Sequence, residues 1–185
     1  MMECMTGHEK IRAADLSALQ IVCYPDPRLR ETCSPVETID ASVAALAARM
    51  AELMFAHRGV GLAGPQVGVT ARLFIASPRF DPDDLRVYVN PEILAAEGQQ
   101  DDDEGCLSFP DVHCRVKRPR VVTLRAQGLD GAWFEETGED LTARAFEHET
   151  DHLDGRLLVD RMGQVAKLAN RRLLKDLEER YAAAS

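Results

Sequence analysis

Apolar residues recur every three to four positions across residues 42–57, at Val43, Leu46, Met50, Leu53 and Met54, and this spacing predicts an amphipathic helix. Asp40 stands where it can cap the first turn, and Gly59 lies just past the end. Beyond it the period shortens. Residues 72–77, 85–89, 92–96, 112–116, 121–126 and 132–135 alternate or run apolar between Pro, Asp and Gly clusters, and predict strands. Leu129-Asp130-Gly131 reads as the turn of a hairpin. Helical spacing returns from about residue 139 to 153, stopped by Gly155, and again over 164–182, where Val165, Leu168, Leu173, Leu174 and Leu177 are expected to face a core. Residues 1–17 are polar and without period and read as a flexible extension, while 18–185 form one domain that opens on a short extended run into Asp26-Pro27. Helices beside largely antiparallel strands predict an α+β fold.

Composition narrows the partners more than the fold. A chain of 185 residues, 45% hydrophobic and 29% charged, has the make-up of one folded domain with a real core. With 31 acidic against 22 basic residues the net charge is −9, which disfavours nonspecific or sequence-specific DNA binding. No apolar stretch is long enough to cross a bilayer, and the first twenty residues lack the apolar centre of a signal peptide, so a cytoplasmic protein without a membrane partner is expected. Five cysteines at irregular spacing argue against a disulfide framework and for a reducing compartment.

The chemistry concentrates in His148-Glu149-Thr150-Asp151-His152, inside a predicted helix. Positions four apart share a helix face, so two imidazoles can reach one ion, while Glu149, roughly 100° around the helix, can reach a water without ligating. Zinc proteases use the same pattern, and one class adds a third histidine six residues on; here that position is Leu158, so a third ligand must come from elsewhere. Cys106, within Glu104-Gly105-Cys106-Leu107-Ser108, is the candidate, because a thiolate is a strong ligand. Cys114 and His113 follow closely, but along a continuous strand Cys114 would lie more than about 25 Å away unless the chain turns. A third segment, Gly59 to Gln66, combines three glycines, which permit close backbone approach, with the Gln66 amide. It lacks the ending of a phosphate-binding loop. These residues leave three readings open: a metal-dependent amide hydrolase, a zinc endopeptidase, and a noncatalytic protein with a structural metal closed by a fourth ligand.

GVGLAGPQ at 59–66, EGCLS at 104–108 and HETDH at 148–152, in that order, resemble the three signature motifs of the peptide deformylases, and PDPRLR at 25–30 is similar to the family's N-terminal region. The resemblance runs from about Leu19 through the last helix. It implies an α+β fold of largely antiparallel sheets around a central metal-binding helix, with an N-terminal and a C-terminal helix, as one catalytic domain. It implies hydrolysis of the formyl group from N-terminal formylmethionine of nascent chains, with Cys106, His148 and His152 as metal ligands and Glu149 as general base. Gln66 and the Leu107 backbone N–H would bind the oxyanion, and Gly61 and Gly105 would flank the substrate main chain. Val60, Leu141 and Ala145 are the candidates for the methionine pocket. The implied cofactor is one divalent ion, Fe2+ in the cell, with Zn2+, Ni2+ or Co2+ in purified protein. Lys167, Arg171, Arg172 and Lys175 would let the last helix dock on the ribosome. Three positions depart from the family pattern: Gly64 for alanine, expected to loosen its loop; Glu147 for glutamine, which adds charge; and His113 for arginine, expected to weaken contact with the peptide beyond its first residues.

Overall fold

A computed structural model describes residues 5–184. The elements are α1 (Gly7–Ala13), α2 (Ala41–Ala56), β1 (Gly61–Ala63), β2 (Leu73–Ala76), β3 (Arg86–Glu97), β4 (Gln100–Cys106), β5 (Phe109–Arg118), β6 (Val121–Gln127), β7 (Trp133–Glu139), α3 (Leu141–Leu153), α4 (Leu158–Arg161), α5 (Gln164–Ala169) and α6 (Arg171–Ala184). Five strands form an antiparallel sheet in the order β1-β2-β3-β6-β7, and β4 pairs with β5 as a separate hairpin. The fold is α+β.

The period-two rule places the layers. On β2, Leu73 and Ile75 join a core with Val43, Leu46, Met50 and Met54 of α2, whereas Phe74 and Ala76 join another with Ala143, Phe146 and Leu153 of α3. The two helices therefore cover opposite faces of the sheet, and β2 is buried throughout. Phe74, Tyr88 and Phe146 pack as an aromatic cluster that fixes α3 to its face. The other side of α3 meets the β4–β5 hairpin, whose Phe109, Val112, Cys114 and Val116 pack with Leu158 and Leu177. Enclosed on both sides, α3 has nine of its thirteen residues buried.

Several expectations change. Residues 1–4 lie outside the described residues, but within the stretch expected to be a flexible extension Gly7–Ala13 is helical. Thr6 and Glu9 cap it reciprocally, Ile11 is 2% exposed, and the Gly7 N–H donates to Pro35 O at 2.9 Å. The two strands expected at 85–89 and 92–96 are one, β3, with a bulge where Asn90 and Pro91 face a single residue of β6. Asn90, at φ 50, bonds through its side-chain amide to Val36 and Gln127. The helix expected over 164–182 is two, broken at Asn170, whose side chain donates to Ala166 O and to His113 O on the hairpin. Of its five predicted core residues only Leu177 is buried; Leu173 and Leu174 pack partly, and Val165 and Leu168 are 84% and 71% exposed.

Candidate active site

Helix α3 directs His148 and His152 toward Glu104 and Cys106 of the hairpin and Glu149 toward Gly61 of β1. The Nε2 atoms of the two histidines are 3.2 Å apart, and Cys106 Sγ is 3.2 Å from His152 Nε2. All three donor atoms fall within 4.8 Å of one another. Cys106 reaches this point because β4 ends there and the chain turns at once into β5, with Cys106 opposite Phe109 and Gly105 opposite His113. The same turn brings Glu104 opposite Cys114, so the separation of about 25 Å expected along a continuous strand does not apply. Cys114 points into the apolar core, burial raises its thiol, and neither it nor His113 joins the donor cluster among the described residues.

The donors suit a divalent ion. Burial opposes charge on both rings, yet the Cys106 sulfur and the Glu104 carboxylate hold His148 protonated well above the usual histidine range, while burial and that neighbouring charge push His152 well below it. One sulfur and two nitrogens converging at this spacing are a donor set that a divalent cation takes. Glu104 sets the geometry. Its Oε1 lies 2.7 Å from His148 Nδ1, which turns Nε2 toward the cluster. Arg118 and Arg144 each bond the same carboxylate at 2.7 Å, and Arg118 bridges on to Asp151 of α3. Burial would raise Glu104, but the bonds from His148 and Arg118 hold it well below the usual carboxylate range. Glu104 lies in the EGCLS motif but carries no role that the motif assigns. Its position two residues before Cys106, on the same face of a strand, was the signal.

Glu149 is 3% exposed, and one carboxylate oxygen has no partner among the described residues. Burial pushes its carboxyl up to about 7. Gly61 makes room for it: a Cβ there would stand 2.3 Å from Glu149 Oε1. Gly61→Ala is expected to lower kcat about a hundredfold by displacing the carboxylate; unchanged circular dichroism with an unchanged rate would contradict this. Gln66, on the one-turn segment Gly64–Val67, accepts the Ala63 N–H at 2.8 Å through Oε1. That bond fixes the amide so that Nε2 faces Cys106 Sγ at 3.4 Å and Ser108 Oγ at 3.3 Å. Gly64 does not loosen this segment: a Cβ would lie 2.6 Å from Val69 O, so the missing side chain lets the backbone close.

These groups open onto a cavity of about 500 Å³ lined also by Val60, Gly61, Gly105, Leu107, Leu141 and Ala145. The residues expected from sequence to bind metal or substrate or to carry the chemistry, except the buried His152, therefore face one space. His57, Arg58, Asp103 and Asp111 at its rim were not foreseen. His113 packs over Gly105, whose Cβ would be 2.7 Å from the ring, with Nδ1 3.8 Å from Asp103. Glu147 lies outside the cavity, 4.0 Å from Arg118, and burial raises its carboxyl.

A model of the polypeptide deformylase family matches residues 18–168. The chain belongs to that family. A peptide deformylase of Acidobacterium capsulatum is 46% identical over 84% of this chain and 93% of its own. Among solved structures, a plant peptide deformylase superposes with a TM-score of 0.88 at 36% identity, covering 91% of this chain and 94% of the other. A Legionella pneumophila peptide deformylase gives 0.83 at 40%, covering 89% and 97%. As a peptide deformylase, the chain is a metal-dependent hydrolase that removes formyl groups from the N-termini of nascent peptides.

Proposed function

We propose that this deformylase hydrolyses the amide of N-terminal formylmethionine with Glu149 as the proton carrier and Cys106, His148 and His152 as the holders of one divalent ion. The observation that carries the reading is the convergence of those three donors, the unpartnered Glu149 oxygen and the Gln66 amide on one cavity. A bound divalent ion supplies Lewis acidity and brings the pKa of water toward about 7. Glu149 takes a proton from water as its oxygen attacks the formyl carbon, then delivers it to the departing amine nitrogen; formate and a free methionyl N-terminus result. Negative charge growing on the formyl oxygen is met by Gln66 Nε2 and the Leu107 N–H, donors held in place before the reaction begins. Val60, Leu141 and Ala145 receive the methionine side chain, and Gly61 and Gly105, without side chains, admit the substrate backbone beside the site.

In the cell we assign the ion as Fe2+, with Zn2+, Ni2+ or Co2+ able to replace it on the same sulfur and nitrogen donors. No helix among the described residues is long and apolar enough to cross a membrane, in keeping with a cytoplasmic enzyme. The exposed Lys167, Arg171, Arg172 and Lys175 support docking on the ribosome. The endopeptidase reading loses its support, since Leu158 at the third-histidine position is buried in an apolar cluster. The test is formate release from formyl-Met-Ala-Ser by metal-loaded protein. Cys106→Ala is expected to lose both metal and turnover; a Cys106→Ala protein that still releases formate at the parent rate would remove Cys106 from the site.

A further inference from the structure

A second cavity, of about 670 Å³, lies between residues 18–24 and α6. Leu19, Ile21, Tyr24, Val67 and Leu177 give it an apolar wall, Asp15, Asp26, Arg28 and Arg180 line it as well, and Pro110 stands in the lining of both this groove and the catalytic cavity. The two are tied by backbone as well. The Val22 N–H donates to Gln66 O at 2.8 Å and the Tyr24 N–H to Ser108 O at 2.9 Å, so one strip of chain forms the groove wall and braces the site. Gln66 faces the catalytic cavity while its neighbour Val67 faces the groove.

A nascent chain is longer than the catalytic cavity and must leave it across the rim. Toward Arg58, Asp103, Asp111 and His113 that rim is charged or polar and open to water. On the Pro110 side the rim borders the groove, whose apolar wall offers the greater space, about 670 Å³ against about 500 Å³. We propose that this groove is an exosite for the substrate, holding apolar side chains of the formylated polypeptide downstream of the residues in the catalytic cavity. The proposal rests on the deformylase reading. It makes chain length and downstream hydrophobicity part of substrate choice, through binding rather than chemistry, so the effect falls on KM and leaves kcat in place.

The experiment compares three formylated peptides on the metal-loaded enzyme: formyl-Met-Ala-Ser, formyl-Met-Ala-Ser-Ala-Leu-Leu-Lys-Lys, and the latter with serine for both leucines. Turnover of the tripeptide tests the deformylase reading by itself. The leucine peptide is expected to exceed the serine peptide about tenfold in kcat/KM, the result of burying part of an apolar side chain. Ala18→Trp, which fills the groove from an exposed position, and Ile21→Ser, which makes its wall polar, should each bring that ratio toward one while tripeptide turnover stays at the parent level. A parent ratio of one overturns the proposal, as does a tenfold ratio that survives both variants. Sedimentation of the parent as a dimer that Ala18→Trp separates, with a ratio of one, would give the groove to a second copy of the chain instead.

Discussion

Glu149→Gln protein is expected to keep its ion and its fold and to release formate about 10²–10⁴-fold more slowly than the parent, the range a positioned proton carrier contributes. Glutamine preserves the shape that fits against Gly61, so the loss isolates the proton. The carboxylate is buried, one oxygen is unpartnered, and burial holds it near neutrality, where it can accept a proton and return it in the same turnover. Metal content measured beside kcat separates the two ways the variant could fail. Full metal occupancy with a rate within a factor of ten of the parent would remove Glu149 from the proton path.

Arg118→Met is expected to cost about 3–5 kcal/mol of folding stability, because it leaves two buried carboxylates short of their partner. The Arg118 side chain is 2% exposed and bonds Glu104 through Nε at 3.2 Å and Nη2 at 2.7 Å, with Nη1 on Asp151. Methionine fills similar volume, so the loss reports charge and hydrogen bonding rather than a cavity. Urea titration at neutral pH measures it; a midpoint shift of less than a fifth of the parent value would show that Glu104 and Asp151 find other partners. The pH dependence has a definite sign. Glu104 is held below its ordinary value of 4.5, so its pairing contributes in full above that value and is lost as pH falls below it. The parent should therefore lose stability steeply below about pH 4.5, and the variant less steeply, because less of that depression remains.

Much of this site was legible because its signals are local. His148 and His152 are one helical turn apart, so their partnership follows from spacing alone. Cys106 entered as the candidate for a missing third ligand and Gln66 as an amide in a glycine-rich segment, and the resemblance gave Gln66 its role; nothing in their spacing says that β4 turns back at residue 107. The β4 strand itself was hidden: Asp101, Asp102 and Asp103 show no apolar alternation, yet they pair along β5 on the way to Glu104 and Cys106, which face the site. Arg118 and Arg144 carried no signal, being arginines whose burial depends on three elements meeting. The misread last helix has a physical cause as well. Its apolar period continues through Asn170, but the Asn170 amide bonds to the hairpin and ends α5, which turns Val165 and Leu168 away from the core. At the other end, Thr6 and Glu9 gave a capping signal that the lack of apolar period obscured, since Ile11 alone anchors the hydrophobic side of α1 among its buried residues.

The buried links from Glu104 through Arg118 to Asp151 join the hairpin to α3 without any help from the ion. In small zinc domains binding and folding are one event, and a chelator unfolds the chain. Here arginine and carboxylate join the elements that carry Cys106, His148 and His152, so the fold is expected to outlast removal of the proposed ion. On the proposed site, loading is then a late and repeatable step, and the choice of metal passes from the folding reaction to whatever the surroundings supply; circular dichroism lost on chelation would contradict this.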